Sequence, residues 1–301
     1  MKQLICAQPV DHGVCRGLTY ALRARYPFLG LCPIGRSEAG RSIDALWLGE
    51  GEQAVLLCGA IHAQESITAL VLLRLCEQLC EGLEQGAEVC QVELRRVLRE
   101  RRVWMIPLCN PDGVDIARYG AEAAGIYAPL VRSVAGEHPA VWQANARGVD
   151  LNHNFDAGWE ILQQMERAQG ILGPSARQWG GPSPESERET RALADLCRAQ
   201  RFRHVVCLHT QGEEIYWQYG DNTPPQAQLM AQIAASVSGY RVAQPTGLAS
   251  HGGMKDWFIG AIGNPAFTIE MGLGRNPLAW QQFDEIYQKA REMLLLFAAA
   301  M

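Results

Sequence analysis

Apolar positions along this chain come in short unbroken runs that alternate with longer, helix-spaced stretches. Residues 54–61 (A-V-L-L-C-G-A-I) are continuously apolar, the pattern of a strand buried on both faces. Residues 66–83 follow with the spacing of an amphipathic helix. Residues 103–108 predict a second strand, ended by Asn110-Pro111-Asp112-Gly113, a strong turn signal. Further on, the pattern predicts a helix over 185–198, a buried strand over 204–208, a helix over 226–238, a strand over 265–269 and a closing helix over 278–300. Strands alternating with helices predict an α/β architecture. Two segments, 120–148 and 170–184, carry little regular pattern. Long irregular loops within a compact domain usually serve function. These two lie between the strands that carry polar motifs, which predicts that they wall a cleft. No repeat, low-complexity tract or linker divides the 301 residues, so one domain over 1–301 is expected.

Charge and cysteine content narrow the partners. The net charge of -5 argues against a nucleic-acid partner, which wants a basic surface. The basic run Arg95, Arg96, Arg99, Arg101 and Arg102 ends a predicted helix and precedes a strand, so a solvated face and a favourable helix C-terminus explain it. The first 20 residues include Lys2, Asp11, His12 and Arg16 and lack the apolar core of a secretory signal. The longest apolar stretches, such as 293–301, are too short to span a bilayer, so no membrane partner is expected. Ten cysteines without a C-x-x-C pair fit free thiols in a reducing compartment, which points to the cytoplasm. Cys76 and Cys80, four apart on a predicted helix, read as core thiols.

The candidate chemistry sits just past the predicted strands. His62 and Glu65, in H-A-Q-E, are three apart at a helix opening and so share one face, where they can hold one metal ion. A capped helix start, with Glu65 favoured by the helix dipole, explains the same pair. His209 follows the strand H-V-V-C-L, and two histidines plus a glutamate with an open position make a catalytic zinc set. A satisfied buried histidine is the alternative for His209. Glu270 ends F-T-I-E beside Gly272 and Gly274, with no core role; a surface carboxylate at a strand end is its alternative. All four positions fall at the carboxyl edge of the predicted strands, where open α/β sheets bind ligands.

These motifs appear in a recognisable order. H-A-Q-E, N-P-D-G, R-G-V-D-L-N-H-N-F, the histidine of L-H-T-Q-G and the glutamate of F-T-I-E, with G-R-S-E-A-G-R upstream, resemble the zinc carboxypeptidase family from about Gly35 to Gly272. The wording R-G-V-D-L-N-H-N-F-D-A-G-W and H-T-Q-G-E-E-I-Y-W is most similar to that of the bacterial γ-D-glutamyl-diamino acid peptidases, which act on cell-wall peptides. The resemblance implies a single-domain, mixed, mostly parallel twisted sheet flanked by helices. It implies one Zn²⁺ per chain, held by His62, Glu65 and His209, with Glu270 as general base. Asn152 would bind the substrate's α-carboxylate, and Asp150 would orient His62.

The chain departs from the family pattern in three places. His153 stands where an arginine usually clamps the terminal carboxylate, and an imidazole lacks the bidentate fork. Gln143 falls near the arginine that polarises the scissile carbonyl; Arg147, four residues on, is the substitute the sequence offers. The closing tyrosine falls near Leu248, with His251 the nearest polar group. Lys255, in G-G-M-K-D-W, falls where the family sets side-chain preference and suits a substrate with an extra carboxylate; a solvated surface lysine is its alternative. The implied activity is hydrolysis of the γ-D-glutamyl–meso-diaminopimelate amide in a small muropeptide fragment, in recycling of imported fragments. A general zinc carboxypeptidase or amide deacylase is the second reading, against which His153 weighs. An inactive binding protein on the same fold is the third, against which the intact His62, Glu65, His209 and Glu270 weigh.

Overall fold

Unbroken apolar strands need cover on both faces, and the fold supplies it. The computed structural model describes residues 3–137, 139 and 141–301. In chain order its main elements are α1 (His12–Arg25), β1 (Gly30–Arg36), β2 (Ser42–Leu48), β3 (Gln53–Cys58), α2 (Ile67–Gln85), α3 (Leu94–Glu100), β4 (Arg101–Ile106), α4 (Pro111–Tyr119) and α5 (Ala128–Ala135). There follow α6 (Trp159–Ala168), α7 (Arg188–Gln200), β5 (Val205–His209), β6 (Glu214–Tyr216), α8 (Gln226–Ser238), β7 (Arg241–Ala243), α9 (Met254–Trp257), β8 (Ala266–Glu270) and α10 (Phe283–Ala299). The strands form one eight-stranded sheet in the order β1-β2-β4-β3-β5-β8-β6-β7. β4, β3, β5 and β8 pair in parallel. β1 and β2 extend one side antiparallel, and β6 returns antiparallel to β8 on the other. No helix of the described residues is long and apolar enough to cross a membrane.

Side chains alternate across the sheet. Val55 and Leu57 of β3, Val206 and Leu208 of β5, and Phe267 and Ile269 of β8 pack with α1, α2, α8 and α10. Leu56 and Cys58, Val205 and Cys207, and Ala266 pack on the opposite face with α7 and α9. The chain leaves β3 toward β4 on one side and returns to β5 on the other. The carboxyl ends of β3 and β5 therefore flank a topological switch point, where such sheets open a crevice.

The predicted strands and helices are present, and the helix over 226–238 is α8. Several elements escaped the pattern, among them α1, β2, α6, β6 and β7 as well as the three that follow. β1 contains Pro33 and two glycines; as an edge strand it tolerates them, with its register shifting between Pro33 and Gly35. N-P-D-G, read as a turn, starts a helix instead. Asn110 caps α4 by accepting from the Gly113 N–H, and Pro111 takes the first helical position, where its missing N–H costs nothing. A side chain at 113 would put its Cβ 2.3 Å from the Ala144 carbonyl, so only glycine lets the 143–145 segment pack there. The segment 120–148 likewise contains α5 rather than only irregular chain.

Two motifs that look separate in sequence meet here. Asp112 of N-P-D-G is wholly buried. It accepts from Ser37 Oγ (2.7 Å), the Ala39 N–H (2.7 Å) and Arg41 Nη1 (2.8 Å), all from G-R-S-E-A-G-R. Asn110 Nδ2 donates to the Ile61 and Ala144 carbonyls at 3.2 and 3.1 Å. It thereby braces the turn that carries His62.

His204 precedes β5 beneath α10, 1% exposed, with Nε2 2.8 Å from the Phe297 carbonyl. Burial, with Arg101 and Arg203 nearby, lowers its pKa from 6.5 to about 4. The unfolded chain thus binds a proton below its ordinary pKa that the folded chain refuses until about pH 4. The stabilisation is full above pH 6.5 and is lost as pH falls. Urea unfolding should show a loss of about 2 kcal/mol from this group between pH 7.5 and 5. His204→Gln keeps a donor for Phe297 and should flatten that part of the pH dependence; an unchanged slope would remove His204 as its source.

Candidate active site

Three strand ends and one tight turn build the site. His62 follows β3 and caps the 3-10 turn Ala63–Glu65, which swings Glu65 back beside it. His209 is the last residue of β5 and Glu270 the last of β8; the two are register partners. The row continues outward, with Glu270 opposite Glu214 of β6 and Glu214 opposite Arg241 of β7.

The candidate ligand atoms converge. One atom each from His62, Glu65 and His209 lies within 4.8 Å of the others. His62 Nδ1 is 3.0 Å from Glu65 Oε1, and His209 Nδ1 is 3.0 Å from Glu65 Oε2. The two Nδ1 atoms face each other at 3.2 Å. Two nitrogens bound tetrahedrally to zinc at 2.0–2.1 Å would sit roughly 3.3–3.4 Å apart. The spacing and the donor set therefore fit a Zn²⁺ ion. Electrostatics agree. Burial opposes a charge on His62, but Glu65 and Asp150 outweigh it and hold its pKa well above the usual value. Burial likewise opposes ionisation of Glu65, yet the two imidazoles lower it to about 2. His209 is lowered, by burial first. The pocket asks for a positive charge that a proton on His62 supplies and that a metal ion would replace.

Around these atoms lies a second ring of polar groups. Asp150 Oδ1 is 3.2 Å from His62 Nε2 and accepts from the Asn152 N–H at 3.1 Å. Its Oδ2 accepts from Gln143 Nε2 at 2.7 Å and the Gln178 N–H at 3.0 Å. On the far side, Asn276 Nδ2 donates to Glu65 Oε1 (3.2 Å) and to the Thr210 carbonyl (2.7 Å), while the Thr210 N–H donates to Glu65 Oε2 (3.2 Å). Both oxygens of Glu65 are thereby oriented. The sequence reading had not singled out Asn276.

A cavity of about 150 Å³ opens beside the cluster, lined by His62, Gln143, Asn152, His153, Lys255 and Glu270, among others. Burial, then the charges of Glu65 and Glu214, raise the Glu270 pKa well above the carboxylate range. A divalent cation nearby would reverse that. Asn152 Oδ1 accepts from the Met254 N–H at 3.0 Å, which leaves its amide nitrogen for a ligand. Lys255 is no surface lysine: it is 3% exposed, donates to the Gln218 carbonyl at 2.8 Å and pairs with Asp256. Tyr216, also unanticipated, lines the same cavity, its hydroxyl donating to Glu214 at 2.5 Å.

Two expected residues are not brought here. Arg147 is turned away by ion pairs with Glu187 at 3.3 Å and Glu38 at 4.0 Å, so its guanidinium is not the substitute donor at the cavity. Glu187 and Glu189 in turn hold Asn145, whose side chain braces the loop through the Arg147 and Val149 N–H groups. His251 faces a neighbouring cleft with Gln218 and Tyr219, its Nδ1 2.8 Å from Ser250 Oγ. Leu248, where the closing tyrosine was expected, lines the main cavity with an apolar side chain.

Two histidines and a glutamate beside a cavity, at the carboxyl edge of a mostly parallel sheet, define a metal-dependent hydrolase. The chain belongs to the zinc carboxypeptidase family, which it matches over residues 17–295. It is a zinc metallopeptidase of carboxypeptidase type. It is 33% identical over 292 residues to γ-D-glutamyl-L-diamino acid endopeptidase 1 of Lysinibacillus sphaericus, covering 96% of this chain and 72% of that one. It is 34% identical over 274 residues to the uncharacterised protein YqgT of Bacillus subtilis (strain 168), covering 89% and 72%. The fold is that of bovine thrombin-activatable fibrinolysis inhibitor in complex with tick carboxypeptidase inhibitor. The TM-score is 0.75 at 19% identity, over 97% of each chain.

The Asn276 contact has a measurable consequence. Asn276→Leu removes the donor on Glu65 Oε1 and should weaken zinc binding about 10–100-fold, the usual cost of losing an outer partner of a ligand. Competition against a chromophoric chelator reads the affinity directly; wild-type affinity would deprive Asn276 of this role.

Proposed function

We propose that this protein hydrolyses the amide between the γ-carboxyl of D-glutamate and meso-diaminopimelate in small cell-wall-derived peptides. One observation carries the substrate assignment: 33% identity, across 96% of this chain, with a relative named for γ-D-glutamyl-L-diamino acid cleavage. Residues 1–301 act as one catalytic domain. His62, Glu65 and His209 hold one zinc ion per chain, and Asp150 orients His62. Zinc there supplies Lewis acidity, making water acidic near neutral pH and polarising a carbonyl. Glu270 takes the proton from the attacking water and passes it to the leaving amine. Asn152 and His153 bind the carboxylate of the leaving residue, and Gln143, already bound to Asp150, lines the cavity beside them. The protein works in the cytoplasm on imported fragments, a reading supported by ten unpaired cysteines.

Incubation with L-Ala-γ-D-Glu-meso-diaminopimelate, with products weighed by mass spectrometry, tests the assignment. Release of free diaminopimelate is expected; an uncut peptide, or cleavage at the alanine, overturns it. Glu270→Gln preserves shape and removes the basic carboxylate. It should keep its zinc while turnover falls ~10²–10⁴-fold; near-normal turnover would end the assignment of Glu270 as base.

Lys255 gives a test of selectivity. Its ammonium can meet the second carboxylate of diaminopimelate, which a lysine residue lacks. Asp256 already neutralises part of that charge, so the preference over a lysine-containing peptide should be about tenfold, from the low end of a charged hydrogen bond. Lys255→Met should lower kcat/KM for the diaminopimelate peptide and leave the lysine peptide unchanged. Equal losses on both would show that Lys255 does not read the side chain.

A further inference from the structure

His153 stands where a guanidinium was expected, and the fold has built a partner for it. The ring is 6% exposed and lines the cavity. Its Nδ1 lies 3.0 Å from Glu166 Oε1 and 3.1 Å from the Gln178 carbonyl. Both neighbours only accept, so Nδ1 carries a hydrogen and the ring orientation is set. Nε2, on the opposite edge of the imidazole, is the nitrogen left for a ligand. Glu166 comes from α6 and is wholly buried. Two more donors hold it, Gln163 Nε2 at 2.7 Å and the Gly180 N–H at 3.1 Å. A buried carboxylate is costly unless paired. This one has no part in the candidate metal cluster, and among the described residues the cavity-lining side chain it pairs with is His153.

We propose that Glu166 is a positioning residue for substrate recognition: it holds His153 as an imidazolium whose Nδ1–H is taken by Glu166, so that the Nε2–H donates to the carboxylate of the leaving diamino acid. The proposal rests on the function proposed above, in which that carboxylate enters this cavity. The charges that face His153 come from three segments: Glu166 of α6, Asp150 of its own loop, and His62 of the turn after β3. Burial works against the imidazolium, but Asp150 and Glu166 outweigh it and raise its pKa. The ring thus replaces a two-pronged guanidinium by a single charged donor. Orientation of the carboxylate then depends on the partner behind the ring, because one hydrogen bond fixes direction less than two.

The test uses zinc-loaded enzyme and two peptides: L-Ala-γ-D-Glu-meso-diaminopimelate, and the same peptide with the α-carboxylate of its diaminopimelate amidated. For Glu166→Gln, KM for the free acid should rise roughly tenfold, the scale of one charge-assisted contact. The kcat should change less than about twofold, and the amidated peptide should be cut as by wild type. Equal losses on both peptides, or a fall in kcat at constant KM, overturn the proposal. A second measurement needs neither turnover nor a stable variant. ¹⁵N spectra of the wild-type imidazoles should show His153 protonated at both Nδ1 and Nε2 when free meso-diaminopimelate is bound, with Nε2 shifting as it is added. A ring protonated at only one nitrogen on saturation, or no shift, overturns the proposal even if Glu166→Gln fails to fold. If wild type cuts neither peptide, the substrate assignment falls, and the titration still decides the roles of Glu166 and His153.

Discussion

Asp150 is wholly buried, and four separate pieces of chain meet on its two oxygens: the turn after β3 through His62, the 143–145 segment through Gln143, its own loop through the Asn152 N–H, and the 178–180 segment through the Gln178 N–H. A buried carboxylate without partners costs several kcal/mol. That cost is offset only when all the donors are present together, so the segments become ordered as a unit. This explains how irregular stretches of chain form firm walls of a cavity. It also links the orientation of a candidate ligand imidazole to the loop that carries Asn152 and His153.

The electrostatic balance follows from the same crowding. Glu65, Asp150, Glu214 and Glu270 crowd around two imidazoles at the edge of the cavity. The sheet register itself contributes, because it sets Arg241, Glu214, Glu270 and His209 side by side across four strands. Against its burial, the carboxylates lift the pKa of His62, while burial and then the same carboxylates lift that of Glu270, a balance that favours a cation. A divalent metal bound there would compete with protons.

The remainder of the cavity relies on modest contacts rather than a guanidinium clamp. Arg147 is held instead by Glu187 and Glu38, where it helps hold the loop. In the cavity stand a histidine backed by Glu166, a lysine half-neutralised by Asp256, a tyrosine tied to Glu214 and the amide of Asn152. Each has its orientation set by a protein partner. Selectivity in such a site comes from the sum of several oriented groups.

The amino-acid sequence by itself determined the four parallel strands at the centre of the sheet, the helices α2, α7, α8 and α10, and the placing of His62, Glu65, His209 and Glu270 at strand ends. These are local matters: an unbroken apolar run, then a polar residue at the turn, can be read within about ten positions. It also carried the turn chemistry of N-P-D-G, although whether that turn closed or opened a helix depended on the Asn110 cap. Tertiary structure alone decided where the longer polar side chains point. Arg147 and His251 are near the site along the chain and turned from it in space, because Glu187 and Ser250 hold them. Lys255 is buried in the cavity wall rather than solvated, because Gln218 and Asp256 receive it. Asn276 meets Glu65 from 211 residues away, and Glu166 reaches His153 from the next helix. Contacts of this kind join elements that only sheet order and helix packing bring together, and no local spacing encodes them.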